Sequence, residues 1–178
     1  DHLLHIPNFY EFKHNKDVVD NNIVGFAARM ETRKCPHFLQ GIKSELTTDP
    51  KDVLWWKRNL DIDTTDWKIY KFNYEFLGKF YNRGWGISHS AHIYEPFGYS
   101  IFQAIDYGKL PILAKDWLPK YDYPFRAQSP EEFKEQYETI CKLSTKERQE
   151  YLVPLRDYLR KFDNKKQWTE QLLKLYNE

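Results

Sequence analysis

Apolar positions along the chain alternate between two patterns. Asn22–Ala28 (Asn-Ile-Val-Gly-Phe-Ala-Ala) is a mostly apolar run of strand length, suited to a strand buried on both faces. Lys68–Phe72 and Gly86–Ser90 read as a second and a third strand, and Leu110–Ala114 as a fourth. Between them the spacing turns helical. Pro36 predicts a helix start with Phe38, Leu39, Ile42 and Leu46 facing inward. Gly98–Tyr107 predicts a short amphipathic helix stopped by Gly108. In the last third, Ser129-Pro-Glu-Glu132 is a capping box with proline at the first helical position, leading Phe133, Tyr137, Ile140 and Cys141 onto one face. Thr145 is expected to cap the next helix, with Tyr151, Leu152, Leu155, Tyr158, Leu159 and Phe162 inward and a kink or restart at Pro154. Trp168, Leu172, Leu175 and Tyr176 stripe a final helix. Strands alternating with helices predict an α/β fold, a parallel sheet with helices on both faces. Ligands of such sheets bind beyond the carboxyl ends of the strands.

A length of 178 residues suits one domain, here 1–178, with 1–21 as a polar and aromatic leading segment and 164–178 as a closing helix. The net charge of +1 offers no general attraction for nucleic acid or an anionic membrane, so any anion site must be local. Two cysteines, Cys35 and Cys141, cannot make a disulfide framework, which favours a reduced, cytoplasmic setting. No apolar run approaches the ~20 residues of a membrane span, and no signal peptide opens the chain. The chain begins at Asp1 and its only methionine is Met30, so a piece of something longer is expected.

Glu95-Pro-Phe-Gly-Tyr-Ser-Ile-Phe-Gln103 places a carboxylate just before a helix start. The unpaired amides there can hold an anion, while Glu95 accepts hydrogen bonds from hydroxyls of the same ligand. Phosphate beside polyol describes a nucleotide sugar; an ordinary helix–strand unit with an exposed Glu accounts for the same spacing. Arg29, Arg33 and Lys34 follow the first strand, either as diphosphate ligands or as a solvated basic loop. Asp61-Ile-Asp63 has the form of a divalent-ion pair but sits in an acidic polar loop, where a solvated turn is favoured. The His-x-x-His spacings of His89 with His92 and of His2 with His5 lack a third ligand in sequence, so no metal is expected. His89, at a strand end near Glu95, is a candidate for contact with a sugar hydroxyl. Trp55-Trp56 and Trp67 are either packing residues or an aromatic docking face.

Taken together, the two loops resemble the group 1 glycosyltransferases of the GT-B fold. Phe26-Ala-Ala-Arg29-Met-Glu-Thr-Arg-Lys34 is similar to their Val-Gly-Arg-Leu…Lys-Gly loop. The run from Glu95 through Gln103 to Ile112 is similar to their Glu-x-Phe-Gly…Glu-Ala…Gly-x-Pro-Val signature, and Ile6-Pro7-Asn8 resembles the Ile-Pro-Asn-Gly piece that enters their C-terminal domain. The resemblance implies a Rossmann-like sheet forming the C-terminal, donor-binding half of a retaining enzyme, with the acceptor-binding N-terminal domain absent from this chain. It implies a nucleotide-diphosphate sugar such as a UDP-sugar as donor, and no metal or other cofactor. Arg29 and Lys34 would hold the diphosphate, assisted by backbone amides around Phe97, Gly98, Tyr99 and Ser100. Glu95 would bind the sugar and position 103 the ribose. Gln103 replaces the family's second glutamate, Ala28 and Cys35 replace glycines, and Phe76-Leu-Gly78 is offered for the base. A non-catalytic nucleotide- or sugar-binding relative and a protein-interaction module stay open beside the transferase.

Overall fold

A computed structural model of the protein describes residues 8–93, 95 and 97–177; the leading Ile6-Pro7, His2, His5 and Pro96 lie outside the described residues, as do the side chains of Leu175 and Tyr176. The first apolar run becomes β1 (Val24–Ala27), near the centre of one sheet. With β2 (Ser44–Thr48), β3 (Trp67–Lys71), β4 (Ile87–Ser90), β5 (Leu110–Ala114) and β6 (Arg126–Ala127), it forms six strands in the order β3-β2-β1-β4-β5-β6. Every pairing is parallel, with Val24 opposite both Ser44 and Ile87. The connection order reverses between β1 and β4, and that switch point opens a crevice at the carboxyl edge of the sheet.

Among the described residues six helices complete the fold: α1 (Pro50–Leu60), α2 (Tyr74–Tyr81), α3 (Tyr99–Asp106), α4 (Pro130–Cys141), α5 (Thr145–Leu159) and α6 (Lys165–Asn177). The helix expected from Pro36 is only a 3₁₀ turn, Pro36–Leu39, and Leu46 belongs to β2 instead. Cys35 and Gly41 flank the turn in the left-handed region (φ 50° and 71°), which stops a longer helix from forming. The sequence pattern does not announce α1, α2, β2 or β6. α1 buries only Val53 and Trp56, too thin a stripe to stand out, although Asp49 caps it by accepting from the Lys51 amide at 2.9 Å. The cap of α5 is Ser144, not Thr145, in a full capping box with Glu147. α5 runs on through Pro154 as one element, and Tyr151 is partly exposed rather than inward.

Close packing at the sheet centre rests on a missing side chain. A Cβ on Gly25 would stand 2.2 Å from the Trp85 indole, so only glycine lets that ring lie against β1. Trp85 joins Phe80, Tyr81, Ala104 and Tyr107 in a cluster shared by α2 and α3. The remaining apolar residues form one larger core.

The leading segment is fastened to α3 by a fully buried carboxylate. Asp106 accepts from the backbone amides of Lys13 (3.1 Å), His14 (3.0 Å) and Asn15 (2.7 Å), and from the Tyr10 hydroxyl at 3.2 Å. Arg156 of α5 donates to the carbonyls of Ile105, at 3.0 Å, and Lys16, so a buried cation backs the same junction. Arg126 plays a comparable part beyond β5, donating to the carbonyls of Ala114, Trp117, Leu118, Tyr121 and Tyr123. Asp106→Ala removes the shared, charged acceptor of three backbone amides and a hydroxyl, and urea unfolding should show a loss of about 3 kcal/mol or more.

Candidate functional site

Two loops leave the carboxyl edge on either side of the switch point, Ala28–Cys35 after β1 and Ala91–Gly98 after β4. They are joined by the Ile93 amide, which donates to the Arg33 carbonyl at 2.8 Å. The Lys34 ammonium and the Glu95 carboxylate pair across the gap, both mostly buried. His92 lies beneath them, 2% exposed, with Nδ1 3.6 Å from the nearer Glu95 oxygen. Neither ring nitrogen has a hydrogen-bond partner among the described residues. The His92 ring and the Lys34 ammonium hold the Glu95 carboxyl at about 2, against the opposing effect of burial. At 3.6 Å the imidazole is beyond direct hydrogen-bond range, so Lys34 is the closer partner. Burial pushes His92 down, and Lys34 and Arg33 add to that while the Glu95 carboxylate opposes it. Its resting form is therefore the neutral imidazole.

The start of α3 adjoins this pair. Gly98 adopts φ 78°, and a Cβ there would lie 2.7 Å from Ile101 Cδ1, so the turn into α3 requires glycine. The first intrahelical bond runs from the Ile101 amide to the Gly98 carbonyl at 2.8 Å, which leaves the Tyr99 and Ser100 amides ahead of it. Phe97 belongs to the packing: its ring stacks on Phe102 at 4.6 Å and its carbonyl accepts from the Trp117 indole at 3.3 Å. The Ser100 carbonyl accepts from Tyr81 at 3.3 Å, and the Tyr99 ring is exposed. Gln103 lines a different cleft of about 510 Å³, with Tyr10, His14, Tyr81, Tyr99 and Tyr107 around it.

Arg29 turns away from Lys34. It is exposed, pairs with Glu31 at 3.1 Å, and lines a cleft of about 670 Å³ with Thr48, Asp49, Lys71, Phe72 and Tyr74. Arg33 shares the same Glu31 at 2.7 Å. His89 is inside the core: Nε2–H donates to the Cys35 carbonyl at 2.8 Å and Nδ1 accepts from the Ala91 amide at 3.3 Å. Burial, chiefly, pushes its pKa down to about 3, so it is a neutral strut under the loop and not a face of the crevice. His92, three residues before Glu95, occupies the place beside the carboxylate. Its spacing is visible in sequence but its proximity is not, because only the turn at Ile93 brings it under Glu95.

The other expected features resolve simply. Asp61 ends α1 and Asp63 accepts from the Thr65 amide and hydroxyl at 2.9 and 2.6 Å, a turn at the amino edge of β3, opposite the crevice. Among the described residues no three His, Cys, Asp or Glu side chains gather to hold a metal, and no helix is long and apolar enough to cross a membrane. Trp56 is buried, its indole donating to the Met30 carbonyl at 2.8 Å, while Trp55 is exposed. The pair is thus divided between core and surface and does not form a two-ring platform. Phe76-Leu-Gly78 falls within α2.

No family model and no curated protein matches the chain. Solved structures do. A mutant of S. aureus TarM, crystallised with fondaparinux, α-GlcNAc-glycerol and UDP, superposes with a TM-score of 0.71 at 15% identity over 97% of this chain and 39% of that one. The pneumococcal O-GlcNAc transferase GtfA, in complex with UDP and GlcNAc, gives 0.54 at 14% identity over 97% and 37%. The chain therefore spans less than two fifths of either protein. At these identities the likeness shows the fold. The expected Rossmann-like parallel sheet holds, in an arrangement that both structures share.

Removing both partners, in the double variant Lys34→Met with His92→Asn, should let the Glu95 carboxyl titrate well above about 2, toward its ordinary 4.5, as read by carbon NMR of the side chain. The folded value lies below the ordinary one. The stability Glu95 adds is thus present above about 4.5 and lost as pH falls through about 2, and the variant should lack that dependence.

Proposed function

We propose that this chain is the donor-binding half of a sugar transferase that takes a nucleotide-diphosphate sugar and passes the glycosyl group, with retention, to an acceptor held by a second domain of a longer protein. One observation carries the reading: Lys34 and Glu95, from loops after different strands, meet at the switch point beside the start of α3. A cation, a carboxylate and two helix-start amides within one crevice match a diphosphate next to a hydroxylated ring. Lys34 moves from Glu95 onto the diphosphate, and the Tyr99 and Ser100 amides complete the anion site. Arg29 reaches the same phosphates by leaving Glu31, which its exposure permits. Two cations then neutralise the departing diphosphate without a metal. Glu95, released from Lys34, accepts hydrogen bonds from the sugar. UDP is the favoured nucleotide, since both structural neighbours were crystallised with it. Gln103 approaches the ribose only from the edge of its own cleft. The two cysteines, both unpaired, suit a reducing cytoplasm.

A domain that binds the donor without transferring it has one feature in its favour, the amide at Gln103 in place of a carboxylate. Calorimetry with UDP-, GDP- and ADP-sugars tests the common premise. UDP-sugars should bind, Lys34→Ala should weaken them about 10-fold or more, and Glu95→Gln should weaken sugar-bearing donors more than bare UDP. Absence of binding at millimolar concentration, both in this domain and in the longer protein, would rule the reading out.

A further inference from the structure

We propose that His92 is a positioning residue that takes up a proton when the diphosphate draws Lys34 away, and so replaces Lys34 as the partner of Glu95. This rests on the reading of Lys34 as a diphosphate ligand, but its premise is visible in the geometry of the site itself. Three ionisable groups are packed together there, and only two of them are bonded: Lys34 to Glu95. His92 is 2% exposed with both ring nitrogens unpartnered among the described residues, an arrangement that costs free energy here and is relieved once a ring nitrogen gains a partner.

Charge explains why the ring rests neutral. With Lys34 in place, Glu95 is already compensated, and a proton on His92 would add a second buried cation beside Lys34 and near Arg33. His89 of β4, 5.6 Å away between ring centroids, is neutral and bonded elsewhere, and Phe26 of β1 stands edge-on at 6.2 Å. Among the described residues Glu95 is thus the one anion facing the ring, with Nδ1 already 3.6 Å from its oxygen. Moving the Lys34 ammonium onto the diphosphate reverses the balance. A mostly buried carboxylate is left without a cation, which is unfavourable, and a repelling charge leaves the imidazole. A proton from solvent then enters at Nδ1, and the new N–H donates to Glu95 after a closure of a few tenths of an ångström. The second Glu95 oxygen stays available to sugar hydroxyls. Donor binding is thereby linked to proton uptake and strengthens as pH falls toward the ring's titration range.

Two measurements test this, one without any nucleotide. Lys34→Met imitates withdrawal of the ammonium. Nitrogen NMR of the imidazoles should show the His92 midpoint move up by about one pH unit or more relative to wild type, with His92→Asn identifying the signal. An unchanged midpoint overturns the proposal. The second is calorimetry with UDP-GlcNAc, whose doubly esterified diphosphate does not itself titrate near neutrality, in two buffers of different ionisation enthalpy. Wild type should take up a fraction of a proton per donor bound, and His92→Asn none. Binding without uptake, or uptake that survives His92→Asn, overturns the proposal. Absence of binding counts against the donor reading, while the Lys34→Met titration still decides whether Lys34 controls the ring.

Discussion

Because all six strands run the same way, every connection must cross a face of the sheet, and both faces must be covered by apolar helices. That leaves the two edges for polar chemistry, and the carboxyl edge is where the loops after β1 and β4 diverge. Lys34 and Glu95 are 61 positions apart in sequence and touch only because β1 and β4 are neighbours at the reversal of strand order. The amino edge receives what the carboxyl edge excludes, including the Asp63 turn and the fastening of the leading segment by Asp106.

Legibility in the sequence follows the strength of the local signal. β1 and β5 are readable because central parallel strands are continuous apolar runs. α3 and α4 are readable because Gly98, Gly108 and the Ser129 capping box mark their ends. β2 escapes because Ser44-Glu-Leu-Thr-Thr48 is largely polar, its hydroxyls buried by neighbours that no local pattern reveals. α1 escapes because it shows solvent most of its surface. At the site, Glu95 and Lys34 are legible as charged residues following strands. The inward place of His89 is not, since it depends on how Cys35, Phe38 and Phe133 pack around it, nor is the position of His92, which rests against Phe26 and His89.

Aromatic content, at 17% of the chain, is also explained by how the loops are held. The indole N–H groups of Trp56, Trp67, Trp85 and Trp117 each reach a carbonyl, on Met30, Leu39, Phe80 and Phe97. The Trp56 and Trp117 rings thereby satisfy the Met30 and Phe97 carbonyls, while Leu39 and Phe80 accept in addition from the Ile42 and Arg83 amides, and all four rings help fill the core. Two of the four hold the segments that carry Lys34 and Glu95. The site is thus built from charged side chains on loops whose backbones are stapled from below, so that the charges can change partners while their supports stay put.

α3 connects this crevice to the far edge. Its first turn carries Tyr99 and Ser100, and its last residue is Asp106, the anchor of residues 13–15. An eight-residue helix is about 12 Å long and stiff along its axis. The same helix therefore offers its first amides at the carboxyl edge and ties down residues 13–15 at the amino edge, so the geometry of the crevice and the seating of the leading segment share one rigid, core-packed support.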